Sequence, residues 1–111
     1  MKNFSFDAVV LGGGAAGMAS ALELKKHGSS VVIIEREEEL GGILMQCIHN
    51  GFGLIEFNEE LSGPEFAQRV HDQVEAQAIP SFCSTTVLDI RPDGDRKIVY
   101  CVSSREGVMQ I

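Results

Sequence analysis

The run Gly12-Gly13-Gly14-Ala15-Ala16-Gly17 joins two segments of opposite character and concentrates glycine where a chain can turn most sharply. Upstream, residues 7–11 (DAVVL) form a short apolar run, the pattern of a strand buried on both faces of a parallel sheet. Downstream, residues 15–27 are dominated by Ala, Met, Leu, Glu and Lys, which lose little on entering a helix. Ala15, Met18, Ala19 and Leu22 fall on one expected apolar face. Gly28 supplies a left-handed stop, and Lys25, Lys26 and His27 place basic groups at the negative end of the helix dipole. Residues 30–35 (SVVIIE) then repeat the buried-strand pattern. A strand, a glycine turn, a crossover helix and a second parallel strand therefore fill residues 6–36, which sets the fold class as α/β.

The spacing Gly12, Gly14, Gly17 is G-x-G-x-x-G, and it lies between a strand and a helix with an acid, Glu35, closing the next strand. Each glycine has a physical task in a Rossmann-like dinucleotide site. Gly12 permits the tight turn, Gly14 removes a side chain from the path of a pyrophosphate, and Gly17 lets the helix approach the sheet. The free N–H groups and positive dipole end of the helix bind the diphosphate without Lys or Arg. Glu35 accepts hydrogen bonds from the adenosine ribose hydroxyls, and its charge disfavours a 2′-phosphate. The expected cofactor-binding set is Gly12, Gly13, Gly14, Ala15, Ala16, Gly17, Glu35 and Arg36, joined by Gly41 and Gly42 farther on. The bland alternative is a turn shaped by glycine and a solvated strand end. FAD and NAD share the adenosine diphosphate half, so the fingerprint alone leaves both open.

Sixteen acidic against nine basic residues give a net charge of −7, which argues against nucleic acid as a partner, because phosphate neutralisation needs clustered Lys and Arg. No apolar run reaches the roughly 18 residues of a membrane span, and nothing near Met1 reads as a secretory signal, so a cytoplasmic protein is expected. Cys47, Cys83 and Cys101 are three, lack a C-x-x-C pair, and read as buried free thiols and not as a metal site or a disulfide framework. His27 and His71 read as surface residues.

Beyond Arg36 come the acidic turn Glu37-Glu38-Glu39, the step Leu40-Gly41-Gly42, and a weakly periodic loop or lid across 37–61. Ser62-Gly63-Pro64-Glu65 is a capping box with proline in the first turn, so a helix is expected over 62–78, with Phe66, Val70 and Val74 on one face. Residues 79–83 read as a short strand demoted by Pro80. Runs 85–91, 97–103 and 107–111 read as an antiparallel meander attached to the parallel sheet, with Asp93-Gly94 as the hairpin cue.

The glycine pair Gly41-Gly42 resembles the one that flavoproteins of the two-dinucleotide-binding class carry after their second strand. Residues 6–78 as a whole resemble the N-terminal FAD domain of the pyridine nucleotide-disulfide oxidoreductase superfamily. More narrowly, Gly41-Gly42-Ile43-Leu44-Met45-Gln46-Cys47-Ile48-His49-Asn50-Gly51-Phe52-Gly53-Leu54, with Glu59-Glu60-Leu61-Ser62-Gly63-Pro64-Glu65-Phe66-Ala67, resembles bacterial NAD(P)/FAD-dependent oxidoreductases that accompany glycerol-3-phosphate dehydrogenase-like proteins. The resemblance implies FAD as the redox cofactor, NAD(P)H as co-substrate, and an electron acceptor or small-molecule substrate that it does not identify. Disulfide reductases of the superfamily place a C-x-x-x-x-C pair where this chain has Leu44 and His49, so a dithiol relay is not expected. Cys47 would act alone or is simply packed, while His49 and Asn50 either approach the flavin or cap a turn before Gly51.

Members of that superfamily are several times longer, so the 111 residues are expected to be a partial FAD domain that stops before a further parallel strand. In the expected order the strand at 7–11 lies at a sheet edge, where Val9 and Val10 invite pairing with another chain as a homodimer. The fragment is expected to bind FAD weakly or not at all. Alternatives to an oxidoreductase are a free-standing adenine-dinucleotide-binding module and an electron-transfer subunit completed by a partner.

Overall fold

The computed structural model describes residues 1–42, Met45 and residues 61–111. In chain order the elements are β1 (Lys2–Asn3), β2 (Ala8–Leu11), α1 (Ala15–Lys26), β3 (Val31–Ile34), α2 (Gly63–Ala76), β4 (Ser81–Phe82), β5 (Thr85–Asp93), β6 (Arg96–Ser103) and β7 (Gly107–Gln110). They form two sheets. One is parallel, in the order β2-β3-β4, and the other runs β1-β7-β6-β5.

β3 is the centre of the molecule because both of its faces are covered. Side chains alternate along a strand, so Val31 and Ile33 join Met18 and Ala21 of α1 and Val70 and Val74 of α2 in one core. Val32 and Ile34 join Val99, Cys101, Met109 and Ile111 in a second core on the opposite face. The result is three layers: helices, parallel sheet, mostly antiparallel sheet. All four β3 residues are buried, and each fully covered side chain contributes about 1.5–3 kcal/mol.

The meander, expected to be attached to the parallel sheet, forms a separate sheet stacked against it. The physical reason is that Val32 and Ile34 present an apolar face that hydrogen bonding along an edge would leave uncovered. The N-terminal residues contribute to this layer too. β1 pairs in parallel with β7, with Lys2 opposite Met109 and Asn3 opposite Gln110, and Phe4 packs against Phe82 with ring centroids 5.1 Å apart. The β5–β6 hairpin closes on Gly94 and Asp95, one residue later than the Asp93-Gly94 cue implies, with Gly94 at φ 67°. Pro92 lies within β5 and is tolerated because β5 is an edge strand. A register shift between Val87 and Asp89 leaves Leu88 exposed.

α1 turns a different face to the core than its apolar periodicity suggests. Met18 and Ala21 are fully buried, Leu22 is partly buried, and Ala19 is exposed. Gly17 fixes this rotation: a Cβ there would lie 1.8 Å from the Gly12 carbonyl oxygen, so the helix meets β2 along its glycine side. α2 follows its sequence closely. Ser62 caps it by accepting the Glu65 N–H, the Glu65 carboxylate accepts the Ser62 N–H at 3.0 Å, and Ala67, Val70 and Val74 are buried. β4 is only two residues long, as Pro80 before it requires, and the Pro80 carbonyl accepts the Ile33 N–H at 3.0 Å. Among the described residues no helix is long and apolar enough to cross a membrane.

Candidate functional site

β2 ends at Leu11 and the chain reverses into α1 through Gly12, Gly13 and Gly14. Gly12 has φ 103°, a conformation that side chains resist, and its N–H donates to the Ile34 carbonyl at 2.8 Å. The two peptides of the turn point in defined directions. The Gly13 N–H donates to Glu35 Oε1 at 2.7 Å. Because a trans peptide directs its C=O opposite to its N–H, the Gly12 carbonyl faces the other way, against Gly17. The Gly13 carbonyl accepts the Gly41 N–H at 2.8 Å. By the same geometry the Gly14 N–H is turned away from Gly41.

Gly14 is the N-cap of α1, with extended φ −73° and ψ −170°, no capping side chain and no acid in the first turn. The N–H groups of Ala15, Ala16 and Gly17 begin a helix that has no side-chain acceptor of its own. A Cβ on Gly14 would have nothing within 4 Å. Open space, uncapped donors and the dipole together make an anion shelf, and the absence of an acidic first turn leaves it without a competing charge.

Glu35 is only 8% exposed and stands at a junction of three segments. Its N–H donates to the Phe82 carbonyl at 2.8 Å and its carbonyl accepts the Thr85 N–H at 3.0 Å, tying the end of β3 to β4 and β5. Besides Gly13, its carboxylate accepts the Glu37 N–H, through Oε2 at 2.7 Å. Each oxygen keeps a lone pair for a further donor. Arg36 points outward, with its side chain 80% exposed and its Nε 3.8 Å from Glu37 Oε1.

The second glycine segment docks onto the first. A Cβ on Gly42 would lie 3.2 Å from the Gly14 Cα, and one on Gly13 would lie 2.3 Å from Leu40 Cδ2. Gly41 and Gly42 have φ 126° and 56°. The tertiary structure thus brings Gly12, Gly13, Gly14, Gly17, Glu35, Gly41 and Gly42 together, while Ala15 and Ala16 open α1 and Arg36 stands apart. Cys47, His49 and Asn50 lie outside the described residues, as does nearly all of the loop expected over 37–61 beyond Gly42. Leu40, Phe82 and Thr85 complete the surroundings, and neither Phe82 nor Thr85 belongs to a motif that announces it. Leu40 is an apolar residue directly after three acids, and that is the one sequence signal among the three.

A cleft of about 890 Å3 adjoins this junction, with Leu40, His71, Cys83, Thr85 and Arg105 among its walls, but it includes none of the glycines of the turn. The Cys83 thiol pKa is raised, first by burial and then by the negative charge of Glu35, and burial likewise raises that of Cys101. Both are free thiols, Cys101 buried and Cys83 half-buried. Among the described residues no cluster of His, Cys, Asp or Glu is arranged to hold a metal. His27, the C-cap of α1, and His71, on α2, lie beside Glu23 and Glu75, at 2.9 and 3.4 Å.

The FAD binding domain family matches residues 7–94, which covers the glycine turn, Glu35, α2 and the β5 arm. The chain belongs to this FAD-binding family. Its cofactor is FAD, and the shelf at the α1 N-terminus with Glu35 beside it suits the adenosine diphosphate half. A soluble pyridine nucleotide transhydrogenase of Hamiltonella defensa is 35% identical over 80 residues, covering 62% of this chain and 16% of the relative. A thioredoxin reductase of Ureaplasma parvum is 34% identical over 75 residues, covering 67% of this chain and 23% of the relative. These relatives agree with the superfamily resemblance of the FAD domain. In fold, the chain superposes on an L-proline dehydrogenase from P. horikoshii with a TM-score of 0.83 at 23% identity, covering 99% of this chain and 21% of the other. The FAD-binding chain spans less than a quarter of the length of each of these proteins.

Proposed function

We propose that this FAD-binding chain is the part of an FAD-dependent oxidoreductase that holds the adenosine diphosphate end of the cofactor, in a protein whose flavin exchanges hydride with a nicotinamide nucleotide. The observation that carries the reading is the uncapped N-terminus of α1 beside the buried Glu35 carboxylate. Gly14, Ala15, Ala16 and Gly17 present backbone N–H groups to the diphosphate, and Gly12 and Gly13 shape the turn that delivers them. Glu35 receives the ribose hydroxyls on the lone pairs left free by Gly13 and Glu37. Gly41 and Gly42 back the turn. FAD, when bound, supplies the two-electron chemistry that these side chains lack. The similarity to a pyridine nucleotide transhydrogenase supports a nicotinamide nucleotide as co-substrate. The stretch that resembles enzymes accompanying glycerol-3-phosphate dehydrogenase-like proteins supports that subgroup, with Cys47, His49 and Asn50 as its candidates near the reacting centre.

Calorimetric titration with FAD, ADP and NADP tests the reading. ADP and FAD are expected to bind with comparable affinity and NADP more weakly, since a 2′-phosphate would meet the Glu35 carboxylate. Absence of ADP binding, or tighter binding of NADP than of ADP, would refute it.

The free edge of β2 supports self-association. Ala8 and Gly12 donate to the β3 side, which by strand alternation turns the Val9 and Leu11 backbone toward the edge that carries no strand among the described residues. Leu11 is 47% exposed there. Light scattering is expected to find dimers of the chain and monomers after Leu11→Lys; a monomeric parent chain would remove the idea.

A further inference from the structure

We propose that Leu40 is a positioning residue for the anion shelf: it wedges Gly13 in place, and through Gly13 it sets the direction of the Gly14 N–H. The inference rests on the reading of the turn as the diphosphate site.

Gly13 occupies a variable position of G-x-G-x-x-G, and its φ lies outside the left-handed region where only glycine is at ease. Backbone conformation therefore does not demand glycine here. The neighbourhood does. Leu40 is 5% exposed, and its Cδ2 fills the place of a Gly13 Cβ so fully that the separation would be 2.3 Å. On the flanking peptides, Glu35 Oε1 accepts the Gly13 N–H and the Gly13 carbonyl accepts the Gly41 N–H.

Gly13 is thus held on three sides, by a carboxylate, an amide and an apolar wedge. The amide contact is the one that bears on the ligand. The Gly13 carbonyl and the Gly14 N–H belong to one trans peptide, so holding the carbonyl on Gly41 presents the N–H on the opposite side. Leu40 is covalently next to Gly41 and is anchored in the helical core with Met18, Val70 and Val74. It therefore locks the position of Gly41 relative to α1. Gly42, whose Cβ would approach the Gly14 Cα to 3.2 Å, closes the same contact from the other side. Preorganised donors lose less on binding than donors that must first be oriented. Loosening the wedge should therefore weaken recognition of phosphate and leave recognition of adenosine unchanged.

The test titrates ADP and adenosine against the chain and against Leu40→Ala, Leu40→Val, Leu40→Met, Gly13→Ala and the double variant Gly13→Ala/Leu40→Ala, with folding followed by circular dichroism. Leu40→Val removes the reaching methyl while opening less space than Leu40→Ala, so it decides the question if Leu40→Ala does not fold. The expected result is a loss of about tenfold in ADP affinity for the shortened variants, with adenosine affinity unchanged and Leu40→Met within about twofold of the parent chain. Gly13→Ala is expected to lose ADP binding, and the double variant to regain part of it because the vacated space accepts the new methyl. Equal losses for ADP and adenosine, or no loss for either, would overturn the proposal by giving Leu40 a merely structural part. A double variant no better than Gly13→Ala would overturn the wedge. A parent chain that binds ADP no more tightly than adenosine would overturn the diphosphate reading itself, and the role of Leu40 with it.

Discussion

Gly14 and Gly17 lie one helical turn apart and answer to different constraints. Gly14 is in an extended conformation that any residue adopts, and a Cβ there would touch nothing within 4 Å. Gly14→Ala is expected to change stability by no more than about 0.5 kcal/mol while blocking ADP, read by thermal denaturation beside calorimetry. Gly17 has no such freedom, since its Cβ would lie 1.8 Å from the Gly12 carbonyl oxygen and 2.9 Å from its carbon. Gly17→Ala must push α1 off β2 and is expected to destabilise the fold by about 3 kcal/mol or more, lowering the melting temperature whether or not nucleotide is present. One glycine thus answers to the ligand proposed for the turn and the other to the packing, the division of tasks that the motif implies. The thiols follow the same residue-level logic. Cys101 is fully buried with a raised pKa, so at pH 8 its peptide should stay unalkylated in the native chain and react once urea unfolds it.

At the scale of elements, α2 shows how far local chemistry reaches. Its capping box, its proline in the first turn and its apolar face of Phe66, Val70 and Val74 are all local in sequence, and the helix runs from Gly63 to Ala76 as they require, with Ala67 buried beside a partly buried Phe66. Ser62→Ala is expected to cost about 1 kcal/mol, measured by urea denaturation. The cap also has a pH signature. The Ser62 N–H, and next its hydroxyl, hold the Glu65 carboxyl below its ordinary pKa; the Ser30 N–H and hydroxyl do the same to Asp7. A carboxylate with a lowered folded-state pKa adds stability above its unfolded pKa and loses it as pH falls through the folded one. Stability should accordingly decline as pH falls below the ordinary carboxylate range of about 4, and Glu65→Gln should flatten that decline in urea midpoints measured against pH. α1 is the contrasting case. Its boundaries, Ala15–Lys26, agree with the helix-forming residues, but its buried face does not follow its apolar periodicity, because alanine and glycine lie on several sides and carry too little surface to choose one. The close contact at Gly17 chooses instead.

For the whole molecule the decisive arrangement is the sandwiching of β3. The run Val31, Val32, Ile33, Ile34 belongs alternately to two cores, so the helical layer and the antiparallel layer are joined through a single strand. Ile33→Ala, at a residue with no exposed surface, is expected to cost about 2–5 kcal/mol and to loosen α1 and α2 together, visible as a shared loss of amide-exchange protection. The same arrangement positions the site. Glu35 is where β3 leaves the sheet, and Phe82 and Thr85 grip its backbone, so the second sheet begins at the carboxylate that faces the glycine turn.

What the sequence determined by itself is what rests on neighbours along the chain. The βαβ unit, the glycine turn, the capped helix and the meander strands all follow from periodicity, propensity and backbone freedom, which act over a few residues. The glycine turn and its acid were legible for the same reason: Gly12, Gly14, Gly17 and Glu35 all belong to one βαβ unit. Tertiary structure decided how distant segments meet. It set the meander beneath β3 as a separate sheet, drew Lys2 and Asn3 alongside β7, and rotated α1 about Gly17. It also seated Leu40, Gly41 and Gly42 on Gly13 and Gly14. Those outcomes depend on burying particular apolar faces and satisfying particular peptide groups at long range, and no local pattern encodes which distant partner will do so.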